Sequence, residues 1–134
     1  MADFDIFSIA GSAMSAQSVR LNTVASNLAN ADTVTGSADT AYRARMPRFE
    51  TLMAEGASQP GVQVTDVVES GAEIGKRHQP GHPDADENGY VYTSNVKVVE
   101  EMVNMISAAR TYENSVEVLN TSKDLMLKTL ELGR

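Results

Sequence analysis

The chain has 134 residues, the size of one ordinary domain, and its lack of cysteine excludes disulfides and thiolate metal sites. Its formal net charge of −7 argues against a nucleic-acid partner, because phosphate neutralisation needs clustered Lys and Arg. No apolar run is long enough for direct membrane insertion, and Asp3 and Asp5 stand where a secretory signal carries positive charge, so we expect any export to proceed without a cleaved Sec signal.

A first long helix is predicted from about Asp5 to Ala29. Apolar and small residues recur there at alternating spacings of three and four, which places them on one helical face, and only Gln17 among them is polar. Asp3 or Asp5 is the expected N-cap. The interior is rich in Ser, Asn and Thr, which are mediocre helix formers, so packing must stabilise the helix. The recurring positions are Phe7, Ala10, Met14, Gln17, Leu21, Val24, Leu28 and Ala31.

Two asparagines, Asn27 and Asn30, lie on nearly the same face near the end of this helix. Their side chains could cap the helix and form the following turn. Alternatively, their amides could hydrogen-bond to a neighbouring chain. The residues alone leave both interpretations open.

The middle of the chain is predicted to be a small β-rich and loop region. Its Gly, Pro and short polar residues mark turns, and alternating apolar residues between them indicate short strands. A polar loop is expected from Asp32 to Thr40, and a Pro- and Gly-rich turn region from Lys76 to Gly89. The extended segments are Ala41–Phe49, Val62–Val68, Glu73–Arg77 and Tyr90–Thr93, and Thr51–Ser58 is predicted as a short helix or turn.

The turn region contains a partial calcium-loop pattern. Asp84, Asp86, Asn88 and Gly89 match the first half of such a loop, but its last ligand position holds Asn95 instead of glutamate. The prediction is therefore a polar turn held by side-chain hydrogen bonds.

The two histidines of the chain, His78 and His82, are four residues apart, which in a helix would be half of a metal site. Pro80 and Pro83 prevent a regular helix there, so a turn role is expected. The sequence also lacks a nucleophile elbow and a phosphate-binding glycine loop. We predict no catalytic residue, metal or cofactor, and no enzymatic activity.

A second long helix is predicted from Val96 to Leu132. Apolar or small residues again recur at spacings of three and four, interrupted where Glu113 and Lys123 take the expected positions. Such a helix would be roughly 55 Å long, about twice the width of a domain of this size, so it must pack on something beyond a compact core. The recurring positions are Val99, Met102, Ile106, Ala109, Val116, Leu119, Met126 and Leu130.

These elements predict a mainly α fold, in which long N- and C-terminal helices pair as a coiled-coil-like bundle with a small β-rich insert between them. The expected units are an N-terminal assembly helix over 1–31, the β-rich region over 32–95 and a C-terminal assembly helix over 96–134. One candidate function is a structural assembly protein that buries both helical stripes against each other and against neighbours. The other is a soluble helical adaptor or chaperone-like module that offers a groove to a peptide.

Several stretches resemble bacterial flagellar rod and hook proteins, and together they span nearly the whole chain. They are Ala25–Thr33, Tyr42–Arg45, Pro80–Asp86 with Gly89–Val91, and Val99–Arg110 with Leu119–Thr121 and Leu127–Leu130.

The resemblance implies a non-enzymatic structural subunit of the basal-body rod. Such a subunit would assemble helically with other rod subunits and copies of itself, and would transmit torque from motor to hook. The resemblance also implies export by the flagellar type III export apparatus and a position in the periplasm-spanning rod. The expected assembly interface consists of Phe7, Met14, Leu21, Val24, Asn27, Leu28, Asn30, Val99, Met102, Ile106, Ala109, Val116, Leu119, Met126 and Leu130.

Overall fold

The computed structural model describes residues 2–53, 55–56 and 59–133. It has a long helix near each end and five strands between them. Among the described residues, no helix is both long and apolar enough to cross a bilayer. The elements are α1 (Ala2–Ala29), β1 (Val34–Thr35), β2 (Arg45–Leu52), β3 (Gly61–Glu69), β4 (Gly75–His78), β5 (Tyr90–Thr93) and α2 (Val98–Leu132).

The strands form two antiparallel sheets. β2 pairs with β3, and its register shifts between Arg48 and Phe49, where a bulge bends the ribbon. The other sheet has the order β1-β5-β4, with β5 in the middle. β5 contains Val91, which is fully buried, so this strand supplies the apolar centre of its sheet.

Packing centres on α1, which contacts α2 along one side and both β2 and β3 along another. The fully buried side chains are mostly small, so the elements can approach closely, while larger ones such as Met14, Leu21 and Leu119 are half-buried. The buried apolar residues are Ala10, Ala16, Val24, Ala41, Ala44, Val91 and Ala108. Most of the larger apolar side chains of α2 and β2 therefore remain outside this core.

The predicted fold class, a mainly α bundle with a small β-rich insert, is wrong. About 48% of the described residues are helical and about 21% are in strands, arranged in two antiparallel sheets, so the fold is a mixed α and β arrangement. The sheet of β2 and β3 packs directly along α1, so it is not an insert separate from the helices. Helical periodicity identified the helices but gave no information on how the strands would pack against them.

The element boundaries also differ in places. α1 starts at Ala2, so Asp3 and Asp5 lie inside the helix and neither is its N-cap. β1 lies within the predicted loop, and it exists because Val34 and Thr35 pair with β5. Thr51 and Leu52 belong to β2 instead of a helix or turn, while Ala54, Ala57 and Ser58 of that predicted segment lie outside the described residues.

Candidate assembly surface

The first half of α2 exposes a row of large apolar side chains, Val99, Met102, Val103 and Ile106, which we call the α2 stripe. These side chains are 75%, 52%, 61% and 57% exposed. Their spacing places them on one side of the helix. Grouped apolar side chains in contact with water are typical of a surface that binds another protein. The final turns of α2 are exposed as well and carry Leu125, Leu127, Leu130 and Leu132.

In the first turns of α2, the side that faces the rest of the chain carries small and polar residues beside the half-buried Met105. Glu101 and Ala108 are buried there, with 8% and 0% of their surface exposed. Asn104 and Ser115 follow the same helical period and are half-buried. In these turns the inward side is therefore less apolar than the α2 stripe, whereas Tyr112, Val116 and Leu119 are half-buried further along the helix.

Asn27 joins three elements at the end of α1, and none of its surface is exposed. Its Oδ1 accepts hydrogen bonds from the Arg45 backbone N–H and the Tyr42 hydroxyl, each at 2.9 Å. Its Nδ2 donates to the Arg45 carbonyl oxygen at 2.8 Å and to Glu101 Oε2 at 3.1 Å. All four hydrogen-bonding positions of this amide are therefore filled within the chain.

A second polar contact lies two turns earlier on α1. Arg20 Nη2 donates to Asn104 Oδ1 at 3.2 Å. Arg20, Asn104, Arg45 and Glu101 also line a cleft of about 360 Å³ at the junction of α1, β2 and α2. Polar side chains consequently hold the first turns of α2 against α1 and β2.

The residues of α1 named in the expected interface point mainly into the chain itself. Val24 and Asn27 are buried, and the others are half-buried, namely Phe7, Met14, Leu21, Leu28 and Asn30. Asn30 Nδ2 donates to the Ser26 carbonyl oxygen at 2.8 Å, which is the capping arrangement. The exposed side of α1 carries small or polar residues that include Ser8, Gly11, Ser15, Asn22, Ala25 and Ala29.

The residues of α2 named in that interface are divided between two environments. Val99, Met102, Ile106 and Leu130 are exposed, whereas the other four are half-buried, namely Ala109, Val116, Leu119 and Met126. Sequence reasoning missed Val103 as part of the exposed row and Glu101 as a buried residue. A signal for the packed side was present, since Glu101, Ala108, Ser115 and Ser122 repeat every seven residues.

A second exposed apolar area lies on β2 and just after it. Met46, Phe49, Leu52 and Met53 are 48%, 39%, 38% and 68% exposed. Sequence reasoning missed this area. Met46, Phe49 and Leu52 line open clefts against α1, so they are exposed although they lie beside a helix. This surface extends the exposed apolar area from the helices to the sheet.

The turn between β4 and β5 is held by Asp86. Its Oδ1 accepts hydrogen bonds from the Tyr90 and Asn88 backbone N–H groups, each at 2.9 Å. The bond from Tyr90 lowers the pKa of this carboxyl, as do the bond from Asn88 and the charge of Lys76, while partial desolvation opposes them. Across the described ranges, no group of three or more His, Asp or Glu side chains is placed to hold a metal ion.

Two families of known proteins match this chain, one near each of its ends. A family described as "Flagella basal body rod protein" matches residues 7–36, and one described as "Flagellar basal body rod FlgEFG protein C-terminal" matches residues 87–132. Relatives named "Flagellar basal-body rod protein FlgC" are 56% identical in Escherichia coli O157:H7 and 54% identical in Salmonella typhimurium, over 100% of both chains. One from Buchnera aphidicola subsp. Acyrthosiphon pisum is 39% identical over 99% of both chains.

Proposed function

The chain belongs to the FlgC family of flagellar basal-body rod proteins, and we propose that it contacts its neighbours in the rod through the α2 stripe. It is a structural subunit of the flagellar basal body, and its family implies assembly with other rod components. The adaptor alternative is set aside, because the relatives are named as rod proteins. The stripe carries the proposal, because its four large apolar side chains are more than half exposed.

The mechanism is burial of this stripe against neighbouring rod subunits and copies of the same chain. Each apolar side chain removed from water stabilises the contact by about 1.5–3 kcal/mol when fully buried. Torque then passes from the motor to the hook through packed helices. We further propose that the subunit has no enzymatic activity, and that it reaches the rod through the flagellar type III export apparatus without a cleaved Sec signal.

Ile106→Asp tests the stripe directly. Ile106 is 57% exposed in the isolated chain, so the substitution should leave the subunit folded. In a packed contact between subunits, however, it would bury an unpaired carboxylate at a cost of several kcal/mol. We expect the protein to be made and exported but absent from isolated basal bodies, and the cells to lose swimming.

Asn114→Asp is the matched control. Asn114 is exposed on the same helix and the substitution adds the same charge with almost no change in shape. We expect this variant to assemble and swim like the unmodified protein. Normal swimming with Ile106→Asp would show that the α2 stripe does not bind neighbours.

A further inference from the structure

The first turns of α2 leave their larger apolar side chains in water. The helix turns Glu101 and Ala108 toward α1, while Val99, Val103 and Ile106 face solvent. For these turns alone, apolar burial would favour the reverse rotation, but the same rotation would expose Val116, Leu119 and Met126 further along the helix. The polar contacts at Glu101 and Asn104 act on the turns where apolar burial does not favour the observed rotation.

We propose that the hydrogen bonds Asn27–Glu101 and Arg20–Asn104, which we call the α2 anchor, set the rotation of α2 and so keep the α2 stripe outward. This inference deepens the proposed function and rests on it, because the stripe matters only as a surface for neighbours. Asn27 and Glu101 are positioning residues: they act by orienting the side chains that make the contact.

The geometry of Asn27 makes it a fixed partner. Three of its four hydrogen bonds go to Tyr42 and to the Arg45 backbone, at 2.8 to 2.9 Å, so the amide cannot turn without breaking them. The remaining N–H is left pointing at Glu101 Oε2, at 3.1 Å. A buried polar pair of this kind is satisfied in only one register, which is the best-attested use of buried polar groups.

A second attachment holds the chain just before α2. Asn95 Oδ1 accepts a hydrogen bond from the Ala44 N–H at 2.6 Å, and its Nδ2 donates to the Ala72 carbonyl oxygen at 3.0 Å. Ser94 Oγ donates to the Ala31 carbonyl oxygen at 2.6 Å. The helix is thus tied at its entrance and again at Glu101 and Asn104. Two attachments at different points leave a rigid helix little freedom to rotate about its axis.

Thiol labelling of the purified protein measures this rotation, because the chain has no cysteine of its own. Ile106→Cys reports on the exposed side, and Ser115→Cys, nearly isosteric, reports on the half-buried side. In the otherwise unmodified chain, we expect the cysteine at 106 to react roughly tenfold faster than the one at 115, because labelling of a packed site requires local opening.

The deciding comparison is between two substitutions of Glu101 in each cysteine background. Glu101→Met is close in shape but accepts no hydrogen bond from Asn27, and we expect the ratio of labelling rates to fall roughly threefold or more as α2 samples other rotations. Glu101→Gln keeps an acceptor oxygen and should retain the original ratio. An unchanged ratio with Glu101→Met, or the same fall with Glu101→Gln as with Glu101→Met, would overturn the anchor.

Circular dichroism of each variant shows whether it is still helical. If Glu101→Met loses its helices, the test passes to Arg20→Met, which removes the other anchor contact. Here we expect a smaller fall in the same ratio, and an unchanged ratio would overturn the inference. Labelling is done on the free subunit, so its outcome does not depend on rod assembly. The proposed function instead fails if Ile106→Asp assembles normally, so the two failures are distinguishable.

Discussion

At the scale of single residues, polar side chains form hydrogen bonds with backbone groups in place of other backbone groups. Asn27 supplies both a donor and an acceptor to Arg45, as a neighbouring strand would. Asp86 gathers two backbone N–H groups at the turn before β5. Because buried backbone groups are costly when unpaired, the part-buried bonds of Asn27 to Arg45 contribute more to the fold than the exposed bonds of Asp86.

Replacing Asn27 with alanine should destabilise the isolated subunit. The change leaves the Arg45 N–H and C=O groups and Glu101 without their partner in a buried place. We expect a loss of about 2–4 kcal/mol in the free energy of unfolding, measured by urea denaturation. Asn22→Ala is the control, because Asn22 is exposed on the same helix, and its effect should stay within about 0.5 kcal/mol. Equal effects of the two substitutions would contradict the role of Asn27.

The lowered pKa of Asp86 predicts a dependence on acid pH. A carboxyl whose folded-state pKa is depressed stabilises the fold fully above its ordinary value of 3.8, and this contribution is lost as the pH falls through the folded-state pKa. The stability difference between the unmodified chain and Asp86→Asn should therefore be present at neutral pH and diminish below about pH 4. Urea denaturation at a series of pH values measures it.

Glu87→Gln is the control for that series, because it removes the same charge from the same turn, and the Glu87 carboxylate makes no hydrogen bond to the residues that the structure describes. Its effect on stability should be smaller than that of Asp86→Asn at neutral pH. If the Asp86→Asn difference were constant from neutral to acid pH, the hydrogen bonds from Tyr90 and Asn88 would not favour the charged form.

At the scale of elements, the molecule combines a turn held by local contacts with two helices that pack closely through mostly small buried side chains. The turn before β5 has Gly89 at a φ of 79°, with Pro80 and His78 beside it. The fully buried side chains of the two helices are mostly alanine and polar residues, and their larger apolar side chains are at most half-buried. The turn is thus specified by local geometry, whereas α2 depends on contacts far away in the sequence.

Gly89→Ala should destabilise the turn. Its Cβ would lie 3.0 Å from Pro80 Cβ and 3.2 Å from His78 Nε2, and the positive φ disfavours any side chain. We expect the free energy of unfolding, measured by thermal denaturation, to fall by about 1–2 kcal/mol. Gly81→Ala, in the same turn, has no atom within 4 Å of its added Cβ and should have little effect. A Gly89→Ala variant as stable as the unmodified chain would mean that the turn accommodates a side chain at this position.

At the scale of the whole molecule, the apolar surface is divided between a small interior and a large exterior. The α2 stripe, the end of α2 and the area on β2 all carry exposed apolar side chains. A subunit that functions in a rod can retain such surfaces, because its neighbours cover them after assembly. The isolated subunit thus combines a small apolar core with the polar contacts around Asn27.

The sequence by itself determined the existence of both long helices, the strand β5, the polar turn and the family, because periodicity, turn residues and characteristic stretches are local properties. Of the recurring apolar positions from Val99 to Leu130, only the tertiary structure decided which are exposed and which are half-buried. A helical period shows which residues share a side, but Asn27 and Arg20, more than seventy residues away in the chain, select which side of α2 is turned inward. For the same reason, the packing of β2 and β3 along α1, which makes the fold mixed α and β instead of mainly α, came from contacts that no local pattern encodes.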